Sequence, residues 1–251
     1  MESVFTNLHI VHYLPILSTL FSAFFLVHIS KRYRSRGGSH LLWWVVGVFT
    51  YGLGTLLESI VTLSGNTPML NKYWYVAGAI LGGYPLAQGS VFLHFRRRTA
   101  LILTGLSLPF VIFASIAVML SPTNVSALES FRPSGAALEW QWVRLLTPFI
   151  NGYAAIFLIG SAAYSAIRFS KIENGFNRAI GNTLITIGAI LPGIGGGMAK
   201  AGMVEALYIG EFVGIILIFL GYNVCIRDTK AVPAASSRIV LQEDKTQNAA
   251  N

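Results

Sequence analysis

The stretch RRRTALILTGLSLPFVIFASIAVML, residues 96–120, decides how this chain folds. Three arginines open the stretch, and the 22 residues that follow contain no charged side chain. A helix needs about 20 apolar residues to cross the hydrocarbon core of a bilayer, and basic residues mark the end that stays in the cytoplasm. The stretch therefore predicts a transmembrane helix whose N-terminal end lies at the cytoplasmic face.

Six further apolar segments predict an all-α, polytopic membrane protein built as a bundle of seven transmembrane helices. Only 11% of the residues are charged, against about 25% in soluble domains. A backbone exposed to lipid must bond within its own segment, so helices are the available structure. The predicted spans are residues 11–30, 41–63, 73–95, 100–120, 143–169, 179–199 and 204–226. They form a single domain over residues 1–230, and residues 231–251 are predicted to be a disordered cytoplasmic tail.

The basic residues orient the predicted bundle. Fourteen of the 18 Lys and Arg residues fall on one side of the seven-span arrangement, and the positive-inside rule makes that side cytoplasmic. The N-terminus is then outside and the C-terminus in the cytoplasm, as expected for a multi-pass protein of the cell membrane. The basic residues border apolar runs and form no continuous face, so we do not expect a nucleic-acid partner. The lipid bilayer is the expected partner, and the sequence indicates no oligomeric state.

Two carboxylic acids lie inside predicted spans, where a charged group costs about 2.5–3.5 kcal/mol at mid-helix. Glu58, in the second span, lies about 7 Å below the outer boundary at 1.5 Å per residue, and Glu211, in the seventh, about 10 Å below it. Acids at similar depth on two helices predict a shared cavity in the outer half of the bundle. In such a cavity at least one acid would hold a proton at neutral pH, because burial and a neighbouring like charge both oppose ionisation.

Polar neighbours enlarge this predicted binding site. Tyr51 and Thr55 share the helical face of Glu58, and Tyr208 precedes Glu211 by three residues. Asn151 in the fifth span reaches a comparable depth. Towards the cytoplasm, we expect Gln88 and Asn182 either to line an inward exit or to bond across helices. The alternative for every residue of the set is a hydrogen bond that fastens the bundle.

The sixth span contains the run LPGIGGG, residues 191–197. Proline removes a helical hydrogen bond, and glycine leaves the backbone loose. We expect the span to be kinked or broken here, either as a hinge or as a source of free carbonyl ligands; a plain kink filled by neighbouring helices is the alternative. The predicted hinge residues are Pro192, Gly193, Gly195, Gly196 and Gly197.

No cofactor or metal is expected. The exception that stays open is a haem held by His28 and His94, since a bis-histidine haem needs two imidazoles on facing helices. No histidine or cysteine spacing is typical of a zinc site. The single cysteine, Cys225, is expected to be a small buried hydrophobe.

These features favour a small-solute or ion carrier or channel with an outward-facing polar site. The alternatives are a seven-helix membrane sensor or partner-binding protein and an intramembrane enzyme or haem protein. The sequence contains no nucleotide-binding, nucleophile-elbow or metalloprotease motif, which favours a non-enzyme. The longest outer loop, residues 121–142, is expected either to cap a cavity or to lie on the membrane surface.

Overall fold

The computed structural model describes residues 10–203 and 205–228, and its seven long apolar helices confirm the predicted seven-helix, all-α bundle. The chain is thus an integral, multi-pass membrane protein. The described residues contain no β-strand, and the predicted tail, residues 231–251, lies outside them. In chain order the helices are α1 Leu14–Arg36, α2 Ser39–Ser64, α3 Pro68–His94, α4 Arg97–Leu120, α5 Gln141–Ser170, α6 Phe176–Lys200 and α7 Glu205–Arg227.

The bundle has two apolar cores that meet at α3. One core joins α3, α4 and α5, and its fully buried members include Ile80, Val118 and Val143. The other joins α1, α2 and α7 around Phe25 and Ile215, and Phe25 packs edge-on against Phe219 with ring centroids 5.2 Å apart. The chain therefore divides into an α3–α4–α5 half and an α1–α2–α7 half, with α6 packed along α7.

Helix α3 is interrupted near its middle. It runs as an α-helix over Pro68–Trp74, widens to a π-helix over Tyr75–Ile80, turns at residues 81–83 and continues as an α-helix over Tyr84–His94. Pro85 has no N–H for the Leu81 carbonyl, and that carbonyl instead accepts a hydrogen bond from Thr50 Oγ1 of α2 at 3.1 Å. The freed carbonyl therefore attaches α3 to α2, in a break that the sequence interpretation did not place here.

Helix α6, by contrast, is a continuous α-helix through Pro192, so the sixth span is not broken, and the alternative of a kink stays a prediction. Close packing against α7 explains why its glycines stay helical. A Cβ on Gly188 would lie 2.6 Å from the Gly214 carbonyl oxygen, and one on Gly181 would lie 2.8 Å from the Gly221 carbonyl oxygen. Glycines spaced by seven residues let two antiparallel backbones touch, which is an ordinary use of glycine in membranes.

The predicted hinge glycines do not share one environment. Gly195 continues the contact with α7, since its Cβ would lie 2.5 Å from the Ala206 carbonyl oxygen. Gly193, Gly196 and Gly197 have open space at their Cβ positions. The hinge itself stays a prediction, but Gly195 is needed for packing.

Candidate functional site

Glu58 of α2 and Glu211 of α7 face each other inside the bundle. Each lies six residues from the end of its helix, about 9 Å along the axis at 1.5 Å per residue, so the two helices present them at one depth. Their carboxyl groups are within hydrogen-bonding contact of one another. Glu58 is only 1% exposed. The structure thus brings together the two acids that the sequence singled out, and we refer to Glu58 and Glu211 as the acid pair.

The contact within the acid pair requires a proton. Ionised carboxylates have only acceptor oxygens, so two of them form a hydrogen bond only when one is protonated. Among the side chains that the structure describes, no Lys or Arg pairs with either acid. A single shared proton therefore satisfies the contact and reduces the buried charge, as in other paired carboxyls.

Trp74 of α3 fixes the orientation of Glu58. Its indole N–H donates to Glu58 Oε1 at 2.7 Å. The sequence analysis did not include Trp74 in the predicted site. A half-buried indole N–H usually finds an acceptor, and Glu58 offers one at a similar depth. The sequence therefore contained the information needed to predict this hydrogen bond.

Glu58 Oε2 and Glu211 Oε2 are buried and receive no hydrogen bond from a described donor outside the acid pair. Ser18 Oγ and Ser22 Oγ on the neighbouring α1 are also buried and without a described partner. Buried polar atoms in proteins are nearly always bonded, and those that are not often belong to functional sites. The α1–α2–α7 half therefore holds unused hydrogen-bonding capacity beside a titratable pair.

The two predicted tyrosines lie at this site. Tyr51 donates from its hydroxyl to the backbone carbonyl of Glu211 at 2.7 Å, which links α2 to α7 near the acid pair. Tyr208 is 1% exposed and lies within electrostatic range of both acids. On its other side the Tyr208 ring meets His12 edge-on, with centroids 6.0 Å apart.

Thr55 is near the acid pair but faces another helix. Its hydroxyl accepts from Thr19 Oγ1 of α1 at 3.1 Å and donates to the Gly52 carbonyl at 3.1 Å. Ser59 lies on the same side, 3.4 Å from Thr19 Oγ1. The polar face of α2 is therefore divided, and Thr55 belongs to the contact with α1 rather than to the acid pair.

The loop between α4 and α5 covers this end of the bundle. Arg132 Nη2 donates to the Ala199 carbonyl at the C-terminal end of α6 at 3.0 Å, where the helix dipole favours a cation. Asn66 Nδ2 donates to the Arg132 carbonyl at 3.1 Å, and Asn71 Nδ2 to the Ser134 carbonyl at 2.9 Å. Arg132 is also within electrostatic range of Tyr208. These contacts hold the loop against the helix ends, and a cavity beneath it stays a prediction.

The inward group of predicted residues is not one group. Gln88 is fully buried and bonds across helices, accepting from Tyr153 Oη of α5 at 2.7 Å and donating to Thr104 Oγ1 of α4. Asn182 of α6 donates to the Arg178 carbonyl at 2.8 Å and lies 3.6 Å from Cys225 Sγ of α7. The bonding alternative therefore describes both residues, and they do not meet.

Asn151 of α5 is exposed on the outside of the bundle, so it does not reach the acid pair. The prediction used depth alone, and depth does not tell whether a residue lies on the side of the helix that faces the bundle or on the side that faces lipid. The nearby Phe149 is 71% exposed on the same helix, as expected for a surface in contact with lipid.

The two histidines considered for haem contact different helices. His94 uses both ring nitrogens, Nδ1 with the Ser90 carbonyl at 2.9 Å and Nε2 with Ser165 Oγ at 3.0 Å. His28 packs edge-on against Phe219 of α7, with centroids 5.5 Å apart. This arrangement offers no free nitrogen on His94 for iron, and haem binding stays a prediction without support from the geometry.

Comparison of the chain with protein-family models, with curated proteins and with solved structures found no match. The geometry of the site is therefore the basis for a functional assignment.

Proposed function

We propose that this protein is a proton-coupled carrier for a small solute, and that the acid pair is its proton site. The observation that carries the proposal is the direct contact of Glu58 and Glu211 from two different helices, with a buried oxygen on each that receives no hydrogen bond from a described donor outside the pair. Ionisable groups inside membrane bundles commonly belong to proton relays and substrate pathways. A pair whose contact requires a proton responds structurally when that proton leaves.

The contact favours a proton over a metal ion as the bound species. A bridging metal ion would sit between the carboxylate oxygens and displace their direct contact. The Trp74 N–H further occupies Glu58 Oε1 with a donor, which disfavours a cation at that oxygen. Among the described residues, no group of three His, Cys, Asp or Glu side chains is placed to hold a metal ion.

Loss of the proton would act on the boundary between α2 and α7. Two adjacent carboxylates repel, and neither has a described cation to compensate it. The remaining described link near this depth is the Tyr51 hydroxyl on the Glu211 carbonyl. We infer that deprotonation separates the two helices and that the Arg132 cap closes the site from its own end in the protonated state.

The orientation follows the basic residues. We propose that the end of the bundle with Arg36, Arg96 and Arg168 faces the cytoplasm and that the capped end faces outward, as the positive-inside rule predicts. In a cell membrane the acid pair would then take protons from the outer side. Solute entry coupled to proton entry is the direction that this arrangement supports.

Proteoliposomes with a pH-sensitive dye inside test the proposal. Pools of amino acids, sugars, organic acids, nucleosides and amines are added outside, and a pool that contains the solute should acidify the lumen. Glu58→Gln and Glu211→Gln should each abolish this acidification. Glu205→Gln, which removes an acid from the first turn of the same α7, is the matched control and should retain it.

Three results would overturn the proposal. Acidification that survives both substitutions would remove the acid pair from the mechanism. The absence of acidification with every pool, in vesicles shown to contain folded protein, would exclude a proton-coupled carrier of these solutes and leave the sensor alternative. Acidification without any added solute would indicate a proton channel instead.

A further inference from the structure

A second polar feature lies at the opposite end of the bundle, between the ends of α1 and α7. It is a groove of about 400 Å³, and we name it the basic groove. Its lining consists of His28, Lys31, Arg32, Ser35 and Arg36 of α1 together with Ile226 of α7. The proposed carrier mechanism uses none of these residues.

The basic groove carries positive charge that no described carboxylate balances. Lys31, Arg32 and Arg36 supply three cationic side chains, and no described acidic side chain lies within ion-pair distance of any of them. Three cations held on one side of a helix repel one another. A groove of this kind is complementary to an anion with several oxygen acceptors, which cationic side chains bind by charge-assisted hydrogen bonds.

A buried hydroxyl lies beneath the groove. Tyr222 precedes Ile226 by one turn of α7, and its ring packs edge-on against His28 with centroids 6.2 Å apart. Tyr222 is 6% exposed, its hydroxyl has no partner among the described residues, and it lies within electrostatic range of Arg32. An unused donor next to unbalanced cations is a second, independent indication of an anionic ligand.

An apolar track leads from the groove along the outside of α1. Leu20 is 64% exposed, Phe24 55% and Val27 55%, and Lys31 follows four residues later. Steps of four, three and four residues keep these side chains on one helical face. Beyond the last apolar side chain, the same face thus becomes cationic where the helix leaves the hydrocarbon region.

We propose that the basic groove binds the phosphate headgroup of an anionic phospholipid, with an acyl chain along Leu20, Phe24 and Val27. Basic pockets between transmembrane helices bind anionic headgroups in this way. A soluble phosphate would use the cations but not the apolar track, and so the combination favours a lipid. For the Tyr222 hydroxyl to donate to the phosphate, the headgroup must enter past the lining of the groove, because Tyr222 is buried and is not part of that lining.

Native mass spectrometry of the purified full chain tests this site. The protein is incubated with an equimolar mixture of phosphatidic acid and phosphatidylcholine of identical acyl chains, and the retained lipids are counted. Wild type should retain phosphatidic acid in preference by about tenfold or more. The substitution Lys31→Gln, Arg32→Gln, Arg36→Gln should bring the ratio close to one, with unchanged thermal unfolding because these side chains make no described ion pair.

Two matched variants sharpen the test. Replacement of Arg96, Arg97 and Arg98 by Gln removes three exposed charges from the start of α4, at the same end of the bundle, and should leave the ratio unchanged. Tyr222→Phe removes only the unpartnered hydroxyl, and should lower the ratio several-fold without loss of total charge.

Three outcomes would overturn the proposal. Equal loss of preference in the two triple variants would show general surface attraction instead of a site. Displacement of the lipid by glycerol 3-phosphate at equal concentration would identify a soluble phosphate ligand. An unchanged ratio in Tyr222→Phe would contradict the proposed position of the phosphate.

Discussion

The two halves of the bundle treat their buried polar groups differently. In the α3–α4–α5 half, the Gln88 amide bonds to hydroxyls on both neighbouring helices, and Tyr75 meets Thr147 Oγ1 at 2.9 Å. In the α1–α2–α7 half, Ser18 Oγ and Ser22 Oγ have no described partner, and Glu58 and Glu211 each have a buried oxygen that receives no hydrogen bond from a described donor outside the acid pair. A polar group that has all its bonds holds helices together, whereas one that lacks them has capacity left for a proton or a ligand.

This contrast bears on the two interpretations that the sequence left open, a binding site and a set of hydrogen bonds that fasten the bundle. Both halves contain polar residues inside spans, and composition alone does not tell a fastening bond from a binding site. The free energy of unfolding tests this contrast, because removal of a satisfied group breaks bonds, whereas Gln at both positions of the acid pair keeps the bond from Trp74 and the contact between the two side chains.

The largest effect on stability is expected for Gln88→Leu. The change removes the acceptor of Tyr153 and the donor to Thr104, and leaves the Tyr153 hydroxyl without its bond. We expect the free energy of unfolding to fall by about 2 kcal/mol. Unfolding in mixed micelles with increasing denaturing detergent measures this change.

Asn151→Leu is the matched control, since it also removes an amide from a span but from an exposed position on α5. Its free energy of unfolding should equal that of wild type. An equal loss in both variants would contradict the contrast, because it would place Asn151 in a stabilising contact as well.

A smaller loss is expected for Thr147→Val, which removes the partner of the buried Tyr75 hydroxyl. Interhelical hydrogen bonds in membranes contribute about 0.6 kcal/mol on average, and we expect a loss of about 1 kcal/mol because Tyr75 stays buried. Thr183→Val, at an exposed site whose hydroxyl bonds only within α6, should change the same measurement by much less. A loss at Thr183 as large as at Thr147 would argue against the assignment.

The smallest effect on stability is expected for the double variant Glu58→Gln, Glu211→Gln. Two amides bond to each other without a proton, and the new amide oxygen on α2 would still accept from Trp74, so the change should stay within about 0.5 kcal/mol of wild type. Infrared spectra at neutral pH should lose one protonated-carboxyl band. A loss above about 2 kcal/mol would make the acid pair a fastening element. If the protonated-carboxyl region of the spectrum is the same in wild type and in the double variant, neither acid holds a proton in wild type and both are ionised.

The spans were predictable because hydropathy and flanking charge are local properties of a membrane helix. The depth of Glu58 and Glu211 was predictable for the same reason, since about 1.5 Å per residue converts position into depth. The direction in which a helix turns its face depends on packing against the other helices. For that reason Asn151 was assigned to a site that it does not reach, and Thr55 to the acid pair rather than to Thr19.

Glycine and proline were informative about the backbone but not about where it breaks. Gly82 and Pro85 interrupt α3, whereas a richer glycine run in α6 stays helical. The difference lies in the neighbours. Gly188 and Gly195 are held by backbone contact with α7, while the Leu81 carbonyl finds a substitute donor in Thr50. Neither partner is near in sequence, so local patterns do not reveal the outcome.

The glycine contacts between α6 and α7 have a consequence for motion. Backbone approaches backbone at three levels of α6, at Gly181, Gly188 and Gly195, each seven residues from the next. We expect the hairpin of α6 and α7 to move as one rigid body that carries Glu211, while α2 stays in place. Solvent would then reach the acids when Arg132 releases the Ala199 carbonyl at the C-terminal end of α6. No bend at Pro192 would be needed.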